Sequence, residues 1–253
     1  MAFSDASLEE TAAWIAARPA DAPFGYAVTP NADHLVRLAR DPSLLPLYRQ
    51  ATLCLLDSRV VAGLGRMLGM PVGAVVPGSD LTACLLRDHL QANERVTIVG
   101  LAPRWLPALI TRCGLSPPAH FDPPVGFDRD PVAMERAVRF VLDHPSRFVL
   151  LAVGSPRQER LAAAIAATGQ ATGFGLCIGA SLEFLAGTRR RAPAWMQRSG
   201  LEWLYRLACE PRRLARRYVW DSPAVIGLLL RHRLTVRAAA DGNSRTMNRA
   251  SAP

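Results

Sequence analysis

The sequence predicts an α/β protein with a mostly parallel, doubly wound sheet and helices on both faces. Short apolar runs bounded by turn residues alternate with stretches of helical spacing along most of the chain, which is the pattern of such sheets. Half of the 253 residues are apolar and only 20% are charged. Most of the chain therefore has the composition of a folded protein.

The individual elements follow from these runs. The apolar runs predicted as strands are Tyr26–Val28, Leu53–Leu56, Val72–Val76, Val96–Val99, Phe148–Val153 and Phe174–Ile178. The stretches predicted as helices are Ala32–Arg40, Val60–Leu68, Asp80–Gln91, Pro131–Asp143 and Gln158–Thr168. Each of these apolar runs is too short to form a helix. The runs are therefore assigned to strands, and the stretches between them to helices.

The last quarter of the chain differs in charge from the rest. Residues 1–188 carry 16 arginines and 17 acidic residues, whereas residues 189–253 carry 14 arginines and four acidic residues. The arginines there could face nucleic acid, anionic lipid headgroups or a diphosphate-bearing substrate, or they could form a solvated face. All basic residues are arginine, so chemistry that needs a phosphate-binding or Schiff-base lysine is excluded.

This basic segment is predicted to form short amphipathic helices that begin at Pro193 and Pro211, with tryptophan, leucine and tyrosine opposite the arginines. The apolar segment Ala224–Leu230 could dip into a bilayer surface or pack on the core. Residues 237–253 have the composition of a disordered tail. We thus expect a core domain over 1–188, a basic helical appendage over 189–236 and a tail.

The compartment is predicted from three absences. The five cysteines show no ligand spacing, no signal peptide is recognisable, and no apolar run approaches the roughly 20 residues of a membrane span. We therefore expect free thiols in a cytoplasmic protein that touches membranes only peripherally. The sequence does not decide whether the chain forms a homo-oligomer.

Candidate site residues follow the predicted strands, because ligands of such sheets bind at the carboxyl ends of the strands. Asp57 ends an apolar run, where desolvation would suit a general base, although it could equally cap the next helix. Thr29 and Asn31 could bind a sugar or diphosphate or could only cap a helix, and His34 is more typical of a structural residue. Gly100 follows another run and joins the candidates.

The loop Gly154–Glu159 places backbone N–H groups at a helix start, which favours an anion such as a nucleotide diphosphate. Dinucleotide and NTPase fingerprints are absent. Asp128-Arg129-Asp130 superficially matches an acidic metal motif, but its place before Pro131 indicates a helix cap. We expect no metal and no cofactor.

Read together, these loops resemble the WecG/TagA/CpsF family, glycosyltransferase family 26, over roughly residues 24–220. The segments that carry the resemblance are Thr29-Pro30-Asn31, Asp57, Gly78–Leu81, Gly154–Glu159, Leu185–Gly187, Arg191–Gln197, Gly200–Arg206 and Glu210–Arg213. The resemblance implies a Rossmann-like catalytic domain. It also implies transfer of a sugar from a UDP-sugar to an undecaprenyl-diphosphate-linked sugar at the inner membrane face, with inversion to a β-linkage and without a metal.

The resemblance also implies roles for single residues. Asp57 would be the general base, with Thr29 and Asn31 bordering its pocket. Gln158 and Glu159 would hold the donor or acceptor sugar, Glu183 would face the ribose, and Phe127 would face the uracil. The remaining residues expected to bind substrate are Gly100, Gly154, Ser155, Arg191, Arg206, Arg213 and Arg217.

The four arginines would neutralise the departing UDP or hold the lipid diphosphate, and the sequence leaves both roles open. This chain has Asp57-Ser58-Arg59 where the family usually has Asp-Gly, which leaves the sugar open and favours an exopolysaccharide or capsule pathway. The alternative from another class is a non-catalytic module that binds nucleotides or nucleic acid through its basic end.

Overall fold

The computed structural model describes residues 2–189, 192–193, 195–196, 199, 202–209, 224–231 and 233. The helix predicted to begin at Pro211 and the tail predicted over 237–253 lie outside these residues.

A six-stranded sheet forms the centre of the protein, and all of its strand pairs are parallel. This confirms the predicted fold class. The strands are β1 (Gly25–Val28), β2 (Leu53–Cys54), β3 (Thr97–Gly100), β4 (Ala119–Phe121), β5 (Phe148–Ala152) and β6 (Phe174–Cys177), in the order β2-β1-β6-β5-β3-β4.

The ends of three strands are aligned across the sheet. Val28 at the end of β1 pairs with Cys54 of β2 on one side and with Cys177 of β6 on the other. The loops that follow these strands therefore start side by side. In the sheet, β2 lies on one side of β1 and the later strands lie on its other side. Doubly wound proteins bind ligands at the carboxyl edge of the strands, beside such a change in strand order.

Helices cover both faces of the sheet. One face packs against α1, α5, α6 and α9, and the other packs against α3, α7 and α8. The described helices are α1 (Leu8–Ala16), α2 (Ala32–Arg40), α3 (Leu45–Arg49), α4 (Arg59–Met67), α5 (Gly78–Cys84), α6 (Leu106–Cys113), α7 (Pro131–Asp143), α8 (Arg157–Ala167), α9 (Ser181–Leu185) and α10 (Glu202–Cys209).

One predicted strand is wrong, and one predicted helix differs in its bounds and its second half. The run Val72–Val76 is not a strand, since it forms only a parallel bridge between Val75 and Leu56. The helix predicted over Asp80–Gln91 begins earlier, at Gly78, and its second half is a π-helical turn over Leu85–His89.

The segment 224–231 is helical and packs on the core. Val225 is 2% exposed and lies in one apolar cluster with Leu56 and Val61, so the core-packing alternative holds for this segment. Ile226 and Leu230 on the same helix remain exposed. In the described part of the chain, no helix has both the length and the hydropathy to cross a bilayer.

Candidate active site

A cleft opens at the carboxyl edge of the sheet, between the loops that follow β1, β2, β5 and β6 and the start of α5. It encloses about 620 Å³ of empty space, including its open mouth. The residues lining it are Thr29, Asn31, His34, Asp57, Pro77, Ser79, Ser155, Gln158, Ile178, Gly179, Ala180, Ser181 and Phe184.

Thr29 and Asn31 both lie in this cleft, and both also hold the loop after β1 in place. The Thr29 hydroxyl donates a hydrogen bond to the Cys177 carbonyl at 3.2 Å, which ties the loop to the end of β6. Asn31 caps α2, because its Oδ1 accepts from the Asp33 N–H at 3.1 Å. The capping alternative is thus confirmed for Asn31, and it leaves the residue on the cleft wall.

Asp57 places a half-buried carboxylate in the cleft. Its backbone N–H donates to the Pro30 carbonyl at 3.1 Å, and its Oδ2 accepts from the Gly78 N–H at 3.4 Å. Ser58 caps α4, since its hydroxyl accepts from the Val61 N–H at 3.2 Å. The capping alternative for Asp57 is therefore wrong, and its carboxylate faces the cleft and the start of α5.

Gln158 and Glu159 lie in the first turn of α8, and both are buried. Gln158 lines the cleft, and its Oε1 accepts from the Gly179 N–H at 2.9 Å. Glu159 is 0% exposed and is absent from the lining. The expectation that Glu159 holds a sugar directly is thus corrected, because its carboxyl lies behind the cleft wall.

The surroundings of Glu159 are unusual for a carboxyl group. Its Oε1 accepts from Gln158 Nε2 at 3.0 Å and lies 3.8 Å from His34 Nε2, while its Oε2 has no hydrogen-bond partner among the described residues. Burial raises the pKa of Glu159. Hydrogen bonding by Gln158, by the residue's own backbone and by Ser155 opposes this rise, as does the positive charge of Arg37. Burial also raises the pKa of the Cys177 thiol, and the nearby Glu159 adds to that rise.

Several other predicted site residues lie outside the cleft lining. The Phe127 ring is 2% exposed and packs in the core with Val99, so it does not reach the cleft. Gly100 has a positive φ of 95°, and a Cβ there would meet the Ala152 backbone at 2.7 Å. Close packing of β3 against β5 therefore explains this glycine.

The loop after β5 divides between wall and turn. Ser155 lines the cleft, whereas Gly154 only forms the turn before it, with a φ of 77°. Glu183 lies on α9 and pairs with Arg189, whose Nε is 2.9 Å from Glu183 Oε2. Its side chain is 39% exposed and is not part of the cleft lining.

The C-terminal arginines chosen from the sequence are Arg191, Arg206, Arg213 and Arg217. Arg191, Arg213 and Arg217 lie outside the described residues, and the Arg206 side chain does as well, although its backbone belongs to α10.

Sequence reasoning missed a cation beside the cleft. Arg37 on α2 is half-buried, and its guanidinium donates to the Ser155 hydroxyl at 2.9 Å. The available signal was the position of Arg37 on α2, six residues after the N-cap Asn31. Sequence reasoning also missed the lining residues Pro77, Ser79 and Phe184.

The acidic motif around residue 129 does not form a metal centre. Asp130 caps α7 by accepting from the Val132 and Ala133 N–H groups, and Asp128 pairs with Arg160 at 2.7 Å. The predicted helix cap is thus confirmed. Within the described ranges, no group of three or more His, Cys, Asp and Glu side chains is arranged to hold a metal ion.

Comparisons with known proteins give a consistent result. The model of the family described as "Glycosyl transferase WecG/TagA/CpsF family" matches residues 1–239. A curated protein from Bacillus spizizenii is 27% identical over 213 residues, which cover 82% of this chain and 79% of the relative. That relative is named N-acetylglucosaminyldiphosphoundecaprenol N-acetyl-beta-D-mannosaminyltransferase. The family resemblance stated from the sequence is confirmed.

Proposed function

Because this chain belongs to the WecG/TagA/CpsF family of glycosyltransferases, we propose that it transfers a sugar from a UDP-sugar to an undecaprenyl-diphosphate-linked sugar. The name of the Bacillus spizizenii relative supports this class of acceptor. The product would be a β-linked intermediate of an exopolysaccharide, capsule or cell-wall polymer. The reaction would take place at the inner face of the cell membrane.

The observation that carries the proposal is the Asp57 carboxylate in the cleft, bordered by Thr29 and Asn31. The oxygen of the acceptor hydroxyl attacks the anomeric carbon, and Asp57 takes the proton from that hydroxyl. The bond from that carbon to the UDP oxygen breaks, and the bonding electrons leave with UDP. Attack opposite the leaving group inverts the anomeric centre.

The leaving UDP gains negative charge, which positively charged groups must stabilise if no metal ion takes part. Arg37 supports this role, because the Ser155 hydroxyl holds its guanidinium beside the cleft wall. The charge of Arg37 also acts on the buried Glu159, whose pKa it lowers. We assign Arg37 to the donor diphosphate, and the C-terminal arginines to the same diphosphate or to that of the lipid.

The basic appendage is proposed to contact the membrane surface that carries the acceptor. The excess of arginine over acidic residues in 189–253 supports this contact, because the inner leaflet is negatively charged. Exposed Ile226 and Leu230 add apolar surface on the helical segment that packs against the core.

The test is a transfer assay with a panel of UDP-sugars and a short-chain polyprenyl-diphosphate-sugar acceptor in EDTA. We expect the Asp57→Asn variant to bind UDP normally and to lose about 10²- to 10⁴-fold in kcat, which is the usual contribution of a general base. The matched control is Asp143→Asn, which removes an exposed carboxylate at the opposite edge of the sheet.

Each result has a distinct meaning. Near-normal turnover by Asp57→Asn would overturn the assignment of the base. Transfer that stops in EDTA and returns with Mg²⁺ would overturn the metal-free reaction. No transfer from any UDP-sugar by the wild-type protein would overturn the proposed donor class.

A further inference from the structure

Glu159 is the most deeply buried carboxyl group near the cleft, and the proposed reaction does not use it. The residue is 0% exposed, and its Oε2 has no hydrogen-bond partner among the described residues. A buried carboxyl that is only half satisfied destabilises a fold. We therefore expect a role of Glu159 other than packing. The contacts of its second carboxyl oxygen, Oε1, indicate that role.

Oε1 of Glu159 fixes the orientation of the Gln158 side chain. Gln158 Nε2 donates to Glu159 Oε1 at 3.0 Å, and Gln158 Oε1 accepts from the Gly179 N–H at 2.9 Å. A flipped amide would place its oxygen against the carboxyl oxygen and its NH₂ against the Gly179 N–H. Both hydrogen bonds would then be lost, so the two partners allow a single orientation.

The same oxygen faces the first turn of α2. His34 Nε2 lies 3.8 Å from Glu159 Oε1, and His34 Nδ1 lies 3.3 Å from the Asn31 nitrogen. His34 Nδ1 also lies 2.8 Å from Asn31 Oδ1, so the imidazole ring is held between Asn31 and the carboxyl of Glu159. One buried oxygen therefore lies against side chains from the first turns of α2 and α8, and through Gln158 it reaches the loop after β6.

We propose that Glu159 is a positioning residue, which acts through Gln158 and His34 and does not touch substrate. It holds the Gln158 amide with one Nε2 hydrogen bound internally, which leaves the second hydrogen for a sugar hydroxyl or phosphate oxygen in the cleft. This proposal rests on the proposed function only for the identity of the bound group, because the hydrogen-bond geometry exists without it.

A double-mutant cycle tests the proposed route through Gln158. The Glu159→Met variant keeps the length of the side chain and removes the acceptor, and we expect kcat/KM to fall about 10- to 100-fold, as displaced binding groups typically cause. Glu159→Gln keeps an acceptor oxygen, and we expect it to stay within about threefold of wild type.

The combined variant decides whether the two residues act together. If Glu159 acts through Gln158, then Glu159→Met adds little to the loss caused by Gln158→Ala. Fully additive losses would overturn the proposal, because they would show independent roles. A loss in Glu159→Gln as large as that in Asp57→Asn would also overturn it, and this arm remains decisive if Glu159→Met does not fold.

A spectroscopic measurement separates this inference from the proposed reaction. In amide NMR spectra, the side-chain NH₂ signals of Gln158, identified by their loss in Gln158→Ala, should shift in Glu159→Met, together with the Gly179 backbone signal. Glu159→Gln should leave the Gly179 signal near its wild-type position. Unchanged Gln158 and Gly179 signals in Glu159→Met would refute the positioning role. The expected shifts without any transfer by wild type would refute the proposed function alone.

Discussion

Replacing Glu159 with glutamine should change how stability depends on pH. Burial raises the pKa of this carboxyl above its value in the unfolded chain. The folded protein therefore holds a proton that the unfolded chain has already released once the pH exceeds the unfolded pKa. Since the folded state binds more protons in this range, the free energy of unfolding falls as pH rises. Glutamine does not titrate, so its contribution is constant.

The size of the effect is bounded by a single proton. One proton difference changes the free energy of unfolding by at most about 1.4 kcal/mol per pH unit. Between pH 5 and pH 7 the wild-type protein should thus lose up to about 2.7 kcal/mol relative to Glu159→Gln. The stabilising contribution is fully present below the unfolded pKa of the carboxyl, and it is lost as the pH rises through the folded one.

The measurement is urea unfolding of both proteins at pH 5, 6 and 7, followed by far-ultraviolet circular dichroism. Other titrating groups are shared by the two proteins and cancel in the difference. The matched control is Glu135→Gln, which removes an exposed carboxyl on α7 and should track wild type at every pH. A constant difference between wild type and Glu159→Gln across this range would refute the reasoning, because it would mean that the buried carboxyl does not change its proton binding on unfolding.

Three further substitutions test the rest of the structure. Arg37→Met should weaken UDP binding about tenfold or more, as expected for loss of a charged hydrogen bond. The control variant Arg49→Met, at an exposed arginine, should bind UDP like the wild type. Equal UDP affinity of the two variants, measured by calorimetry, would contradict the assignment of Arg37 to the diphosphate. Ser58→Ala removes the N-cap of α4 and should lower the free energy of unfolding by about 1 kcal/mol in urea titrations. The Arg147 guanidinium donates two hydrogen bonds of 2.6 and 2.7 Å to the half-buried Glu94. Arg147→Met leaves that carboxylate without its partner and should lower the free energy of unfolding by about 3 kcal/mol. A decrease below about 1 kcal/mol would show that the pair contributes no more than an ordinary surface ion pair.

The elements that the sequence predicts best are those with local signals. The helix over Pro131–Asp143 has its bounds as predicted, because Asp130 caps it and Pro131 is favoured at the first helical position. Strand β4 was missed for the opposite reason. It has three half-buried residues at the sheet edge, with His120 at its centre, so neither length nor apolar pattern marks it.

Part of the predicted site is brought together in the structure. Asp57, Thr29 and Gln158 were identified from their positions after strands, and all three line the cleft. The N–H that Asp57 accepts from belongs to Gly78, 21 residues away in sequence, and no local pattern encodes that contact. Glu159 was expected at the sugar because the resemblance assigns it together with Gln158, yet its side chain is buried behind the cleft wall. A signal did exist.

The signal for the burial of Glu159 is the apolar stripe of α8. A carboxyl within this stripe lowers stability but positions Gln158. Leu161, Ala162 and Ile165 are buried at helical spacing, and extending their stripe toward the helix start places Gln158 and Glu159 on the same buried face. An apolar residue at 159 would complete the stripe, and it would leave the Gln158 amide without its acceptor. A protein with Glu159→Met should therefore gain stability at neutral pH while losing transfer. A variant that gained both stability and transfer activity would show that the Glu159 carboxyl does not position Gln158.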